Sequence, residues 1–364
     1  TPVVACGGRL KPAPAPALFP MTTLWTAALE DLVEGPLAAD EKRIYVTTRD
    51  GTQLALDRDT GAPVWKVDGL AGLLAGGPTA LVLRQADGTV LRLHPESGSV
   101  LWRANSAVSG GLAPVVDGDR ILVAGNGLAA LDVQTGGVLW SVAGGTAASA
   151  LPEVFGARLL VGEQDGTLRC RDRATGVSLW TFRTASALLA PPRVGGDRRV
   201  FLGTTDRRVV ALSLDKGRPA WRWKVGADVQ SAPALQGKLV LVVSFDAVLY
   251  ALNRGNGNLV WRAPLPSRPL SSPMFVGTAV LVACHENEIL GFDLKTGTRQ
   301  GGLKTTAQIR TPPLLLDGRI YLGLRNRSVV ALKLAGPGEP AGPSPSPIPP
   351  SPSGPSPSPS PSPS

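Results

Sequence analysis

One eleven-residue unit recurs along this chain at nearly constant spacing, and that recurrence constrains the fold more than any other feature. The unit Ala55-Leu56-Asp57-Arg58-Asp59-Thr60-Gly61-Ala62-Pro63-Val64-Trp65 returns as Ala130 to Trp140, Ala211 to Trp221 and Ala251 to Trp261. Looser copies run from Arg92 to Trp102 and from Cys170 to Trp180. A seventh, Gly291 to Gly301, keeps Asp293, Thr296 and Gly297 but places glycine where tryptophan is expected. The tryptophans step through Trp65, Trp102, Trp140, Trp180, Trp221 and Trp261, a period of 37 to 41 residues. A period of this length means one supersecondary unit per repeat, which buries its apolar face only against a neighbouring copy.

The phase of the array decides between an open stack and a ring. An eighth copy begins at Val329-Val330-Ala331-Leu332 and runs out, while Trp25 stands alone 40 residues before Trp65, in step with the period. The array therefore starts with an orphan tryptophan strand and finishes lacking one. Pairing the two removes both frayed edges, which a linear solenoid has no need to do. The expectation is an all-β, eight-bladed β-propeller of four-stranded blades over residues 21–335, closed by the N-terminal strand joining the last blade.

Within each repeat the turn positions are Asp50, Asp87, Asn126, Asp165, Asp206, Asp246, Asn287 and Asn326. Short Asp and Asn side chains tolerate tight backbone and hydrogen-bond locally. One per blade in the same slot marks structure rather than calcium ligation, so no metal site is expected. Trp25, Trp65, Trp102, Trp140, Trp180, Trp221 and Trp261 are read the same way, as docking groups between blades, since an indole lies flat only against small Ala and Gly.

Both ends read as tails. Val3-Val4-Ala5-Cys6 resembles the end of a lipoprotein signal, which makes Cys6 the expected lipidation site; the bland alternative is a chance cysteine in a leader. Residues 1–20 then form a leader and Pro-Ala tether. Residues 336–364 contain 13 Pro and 9 Ser, a composition that favours an extended polyproline-like spacer or a passive tail. No apolar stretch reaches the roughly 18 residues of a transmembrane helix. Three Cys exclude a disulfide-dense scaffold, and two His leave little room for His-based catalysis. The hairpin Cys284-His285-Glu286-Asn287-Glu288 offers too few ligands for a metal site.

The net charge of +9 is local. Between Arg169 and Lys224 thirteen Lys and Arg face four Asp, and the remainder of the chain is balanced. Arg169, Arg171, Arg193, Arg198, Arg199, Arg207 and Arg208 are the candidate partner-binding residues of this basic sector. Arg169 and Arg171 also break the repeat, because other blades carry apolar residues there. Two guanidinium groups between blades must be paired or must reach water. An acidic partner is expected: a protein domain, an anionic envelope polymer or a lipid surface. Aromatic residues do not interleave with the basic ones, so nucleic acid is not expected.

The pattern Ala-x-Asp-x-x-Thr-Gly-x-x-x-Trp resembles the tryptophan-docking repeat of the PQQ-like β-propellers, over about residues 21 to 335. Two branches of that family are relevant. The quinoprotein alcohol dehydrogenases, which hold pyrroloquinoline quinone and calcium on the axis, carry long insertions, an adjacent cysteine pair and a catalytic Asp. Here no repeat exceeds 41 residues, and Cys170 and Cys284 lie in the fourth and seventh repeats. The BamB-like branch, a cofactor-free lipoprotein scaffold of the outer-membrane barrel assembly machine, needs only eight plain blades and a lipidated N-terminus. The resemblance implies a non-catalytic, monomeric scaffold without cofactor at the periplasmic face of the outer membrane, binding protein partners of the barrel assembly complex. The rival readings are a quinoprotein-type dehydrogenase or other ligand-binding enzyme, and a surface-binding envelope propeller.

Overall fold

The computed structural model describes residues 18–77, 79–143 and 146–334. Strands account for all regular structure there, arranged as eight four-stranded antiparallel sheets. Each sheet is a blade, and its strands are called A to D from the axis outward. Seven blades are sequential in the chain. The eighth takes strands A to C from Leu314–Leu316, Arg319–Leu324 and Ser328–Lys333, and its outer strand from Thr22–Ala28. That closing strand sets Trp25 opposite Ala331 and Thr22 opposite Lys333, so the two ends of the array seal the ring.

The residues explain the layering. Strands B and C are covered on both faces by neighbouring blades, so they read as unbroken apolar runs such as Ala279–Cys284, buried throughout. The core is accordingly not one mass but eight layers, each between adjacent blades. One such layer joins Leu241, Leu249 and Ala251 of blade 6 to Val280, Leu290 and Phe292 of blade 7. Strand D faces solvent on its outer side and alternates, as in Val100–Asn105 and Val138–Ala143.

Every blade has a bulge one residue before the tryptophan slot. In blade 3, Ala130 pairs with Trp140 but Leu131 pairs with Val138, leaving Leu139 unpaired and half exposed. The same shift occurs between Cys170 and Arg171 in blade 4 and between Ala251 and Leu252 in blade 6. A bulge increases local twist and re-aims the following side chain. Here it turns each indole toward the next blade.

The antiparallel order gives the ring two unlike faces. The A–B turns and the Thr-Gly C–D turns lie on one, called the A–B face. The B–C turns and the D-to-A connections lie on the other, called the B–C face.

Candidate functional site

The docking tryptophans occupy one repeated site. Trp25, Trp65, Trp102, Trp140, Trp180, Trp221 and Trp261 each donate Nε1–H to a backbone carbonyl in the C–D turn of the following blade. The acceptors are Arg58, Pro95, Val133, Arg173, Leu214, Arg254 and Leu294 in that order, at 2.8 to 3.1 Å. Each ring lies on the turn glycine of that blade: Gly61, Gly98, Gly136, Gly176, Gly217, Gly257 and Gly297. A Cβ there would sit 2.4 to 2.8 Å from the indole, and φ of +64° to +79° suits glycine alone at low cost. The motif's Asp and Thr build that turn. Asp57, Asp132, Asp172 and Asp293 accept from the Thr backbone and hydroxyl three residues on. Those threonine hydrogen bonds hold all four carboxyls below the ordinary range.

The seventh blade, which carries Gly301 in the tryptophan slot, is completed from elsewhere. Phe19, just ahead of the closing strand, packs where a Cβ on Gly291 or Gly301 would stand 2.6 Å from its ring. Leu18 and Met21 beside it are buried. The apolar leader residues ahead of Trp25 were the only available hint of this substitution.

The seven arginines proposed from sequence share a sector but not a surface. Arg169 and Arg171 project from strand C of blade 4, Thr167–Asp172. Arg169 makes a two-pronged ion pair with buried Glu163, at 2.8 and 3.2 Å, and this carboxylate raises its pKa. Arg171 donates to the Gly176 carbonyl at 2.8 Å and is half-buried; that burial lowers its pKa, as does the Arg169 charge. Arg193, on innermost strand A of blade 5, pairs with Glu153 at 2.9 Å. Burial lifts the Glu153 carboxyl above its usual range even though Arg193 pulls the other way.

The remaining four divide between faces. Arg198 and Arg199 sit at the A–B turn of blade 5, where Arg198 pairs with Asp215 and Arg199 caps the carbonyls of Arg254 and Gly255. Arg207 and Arg208 sit at the B–C turn, on the opposite face. Arg208 pairs with Asp206 at 2.8 Å, and the Arg207 side chain has no hydrogen-bond or ion-pair partner among the described residues. Local folding explains the split, since the strand Arg199–Gly203 separates the two turns.

A buried cation that sequence reading passed over is Arg84, at the end of strand B of blade 2. It is 2% exposed and has no carboxylate partner among the described residues. Its guanidinium donates instead to the carbonyls of Val108, Leu112 and Ala124 at 2.6 to 2.8 Å, stapling blade 2 to blade 3, while Nε is unsatisfied. Other blades place Thr47, Ala124, Gly162, Gly203, Val243, Ala283 and Gly323 in this slot. A charge ending the run Leu81-Val82-Leu83 was therefore the legible signal.

Turn carboxylates are engaged locally: Asp50 and Asp206 accept from Thr48 and Thr204, and Asp246 accepts from Tyr250 at 2.6 Å. Among the described residues no group of three or more His, Cys, Asp or Glu stands together as a metal set. Cys170 and Cys284 are free, buried thiols, pushed by burial to about 11. Cys6 and the Pro-Ser segment lie outside the described residues.

A family model described as outer membrane protein assembly factor BamB matches residues 21–82, 86–190 and 164–338, nearly the whole ring. The chain belongs to this BamB family of PQQ-like propellers. Among relatives, the BamB of Nitrosomonas eutropha is 31% identical over 142 residues, 38% of this chain and 34% of that protein. A tetrathionate hydrolase of Acidithiobacillus ferrooxidans is 24% identical over 176 residues, 42% of this chain and 35% of that protein. The chain thus spans about a third of the length of these two relatives. BamB from Moraxella catarrhalis shares the fold with a TM-score of 0.74 at 17% identity, covering 86% of this chain and all of that one. A quinohemoprotein alcohol dehydrogenase from Comamonas testosteroni scores 0.71 at 12% identity, covering 88% and 78%.

Proposed function

We propose that this propeller is a non-catalytic scaffold of the bacterial cell envelope that serves outer-membrane β-barrel protein assembly through protein–protein contacts. The BamB family match along the ring carries the reading. The local engagement of the turn carboxylates and the plain, short connections between blades support it, because axial quinone chemistry needs a convergent polar cluster. The scaffold works as a monomer without cofactor, held at the periplasmic face of the outer membrane by a lipid on Cys6. Its basic sector, Arg169 to Lys224, meets an acidic partner in the barrel assembly complex.

Full-length protein used as bait in a detergent extract of its own envelope is expected to recover an outer-membrane assembly protein. Failure to recover one counts against the scaffold. A ligand-binding enzyme is the second reading, favoured by the hydrolase relative and the dehydrogenase fold neighbour. Adding pyrroloquinoline quinone with calcium separates the two: an unchanged quinone spectrum is expected, and a saturable shift overturns the non-catalytic reading.

A further inference from the structure

Two inter-blade slots on the B–C face occupy equivalent places in the repeat, and their linings differ. Each slot is built from the second and third residues after one tryptophan, the B–C turn and strand C of the next blade, and the residue after that blade's tryptophan. Between blades 4 and 5 these residues are Phe182, Arg183, Asp206, Arg208, Val210 and Arg222, around a groove of about 180 Å³. The equivalent groove between blades 8 and 1 is lined by Ala27, Ala28, Asp50, Thr52, Leu54 and Lys66, and holds about 320 Å³. The first groove is the smaller, has Phe182 where the second has Ala27, and is lined by three arginines.

Only one of the three cations is neutralised at close range. Arg208 pairs with Asp206 at 2.8 Å, whereas Arg183 lies 3.8 Å from Asp165 and is 74% exposed. Arg222 has no carboxylate partner among the described residues and lies over the Phe182 ring, 6.0 Å from its centroid. A guanidinium resting on an aromatic face is held in plane with its donors outward, so less freedom is lost when it grips a carboxylate. Arg207, between Asp206 and Arg208 in the chain, takes a left-handed conformation, φ +65°, where blades 1, 2 and 4 use Gly51, Gly88 and Gly166.

We propose that this groove is the seat for a carboxylate side chain, Asp or Glu, presented by a protein partner. The proposal rests on the scaffold reading above and narrows its basic sector to Arg183, Arg208 and Arg222. A narrow slot walled by Phe182 and Val210 suits one inserted side chain. The narrow slot with apolar walls favours an inserted protein side chain over a lipid headgroup, and the scaffold reading supplies a protein partner.

The test uses the full chain and a fluorescein-labelled octapeptide of alternating Glu and Gly, with its Gln counterpart as control. Fluorescence polarisation should show the Glu peptide binding about tenfold more tightly than the Gln peptide, with binding lost at about 0.5 M salt. The variant R183Q/R208Q/R222Q should lose that preference, while K216Q/R218Q, on the other face of the same blade, should keep it. Unchanged tryptophan emission checks that both variants are folded. Equal binding by wild type and the triple variant overturns the proposal. So does binding of phosphatidylglycerol vesicles, but not of the peptide, through these arginines. Peptide binding without recovery of an assembly protein sinks the scaffold reading alone; recovery that the triple variant leaves intact sinks the groove alone.

Discussion

Phe19 lies against Gly301, the slot that holds tryptophan in the other seven blades, and its ring would stand 2.6 Å from a Cβ there. The gap left by glycine in blade 7 is thus filled from the opposite end of the chain, beside the seam that closes the ring. Phe19→Ala is expected to destabilise the propeller by about 3 kcal/mol, through lost aromatic burial and the cavity left behind. Urea unfolding followed by near-ultraviolet dichroism measures it; a change below about 0.5 kcal/mol, the size of an ordinary surface substitution, would show that the seam does not depend on this ring.

Each indole and the glycine it covers act as one unit. Trp140→Ala should cost about 3–5 kcal/mol. Gly176→Ala forces a Cβ to 2.6 Å from the same indole at a φ of +73° and should also destabilise, by more than about 1 kcal/mol. Because both changes break one contact, the double variant should be less destabilised than the sum of the singles, which a thermal-melting cycle reads directly.

Arg84 is held by carbonyl oxygens alone. Arg84→Ala removes the donor to the buried Ala124 and partly buried Leu112 carbonyls, leaves Val108 only a long contact from Ser106 Oγ at 3.4 Å, and should cost about 2–4 kcal/mol. Lysine cannot span three carbonyls with one ammonium, so Arg84→Lys should recover less than half of the loss. Hydrogen exchange should localise the damage to the connection between blades 2 and 3; uniform loosening of the ring would contradict the staple.

Acid should loosen the C–D turns first. Asp57, Asp132, Asp172 and Asp293 have depressed pKa values, led by the hydrogen bonds from their threonines. A depressed folded-state pKa contributes stability that is present above the unfolded value, near about 4, and lost as pH falls through the folded one. Melting temperature should therefore drop below about pH 4, and Asp→Asn at all four positions should flatten that dependence. An unchanged acid slope in the fourfold variant would remove these turns as its cause.

The architecture was readable from the sequence because every element of it is periodic. Trp25, the small residue opposite each indole and the turn glycine recur at one spacing, and a residue in a repeat meets the same partner one period later. Even the closure followed, from the phase of Trp25 against the unfinished copy at Val329. The motif did not reveal which blade each indole serves. The bulge before the tryptophan sends the ring to the next blade's glycine, and bulges are set by strand register.

The basic sector shows the other side. Counting charge along the chain finds Arg169 to Lys224, but beside Asp206 and Asp215 within it, four of the carboxylates that answer it, Asp117, Glu153, Glu163 and Asp165, lie outside that segment. Antiparallel order then puts Arg198 and Arg207 on opposite faces although nine residues separate them. Periodic contacts repeat locally and are written into the spacing of residues. Charge pairing, the Arg84 staple and the Phe19 plug each depend on which blades meet in space, and a closed ring brings together residues such as Arg58 and Asp317 that no local pattern connects.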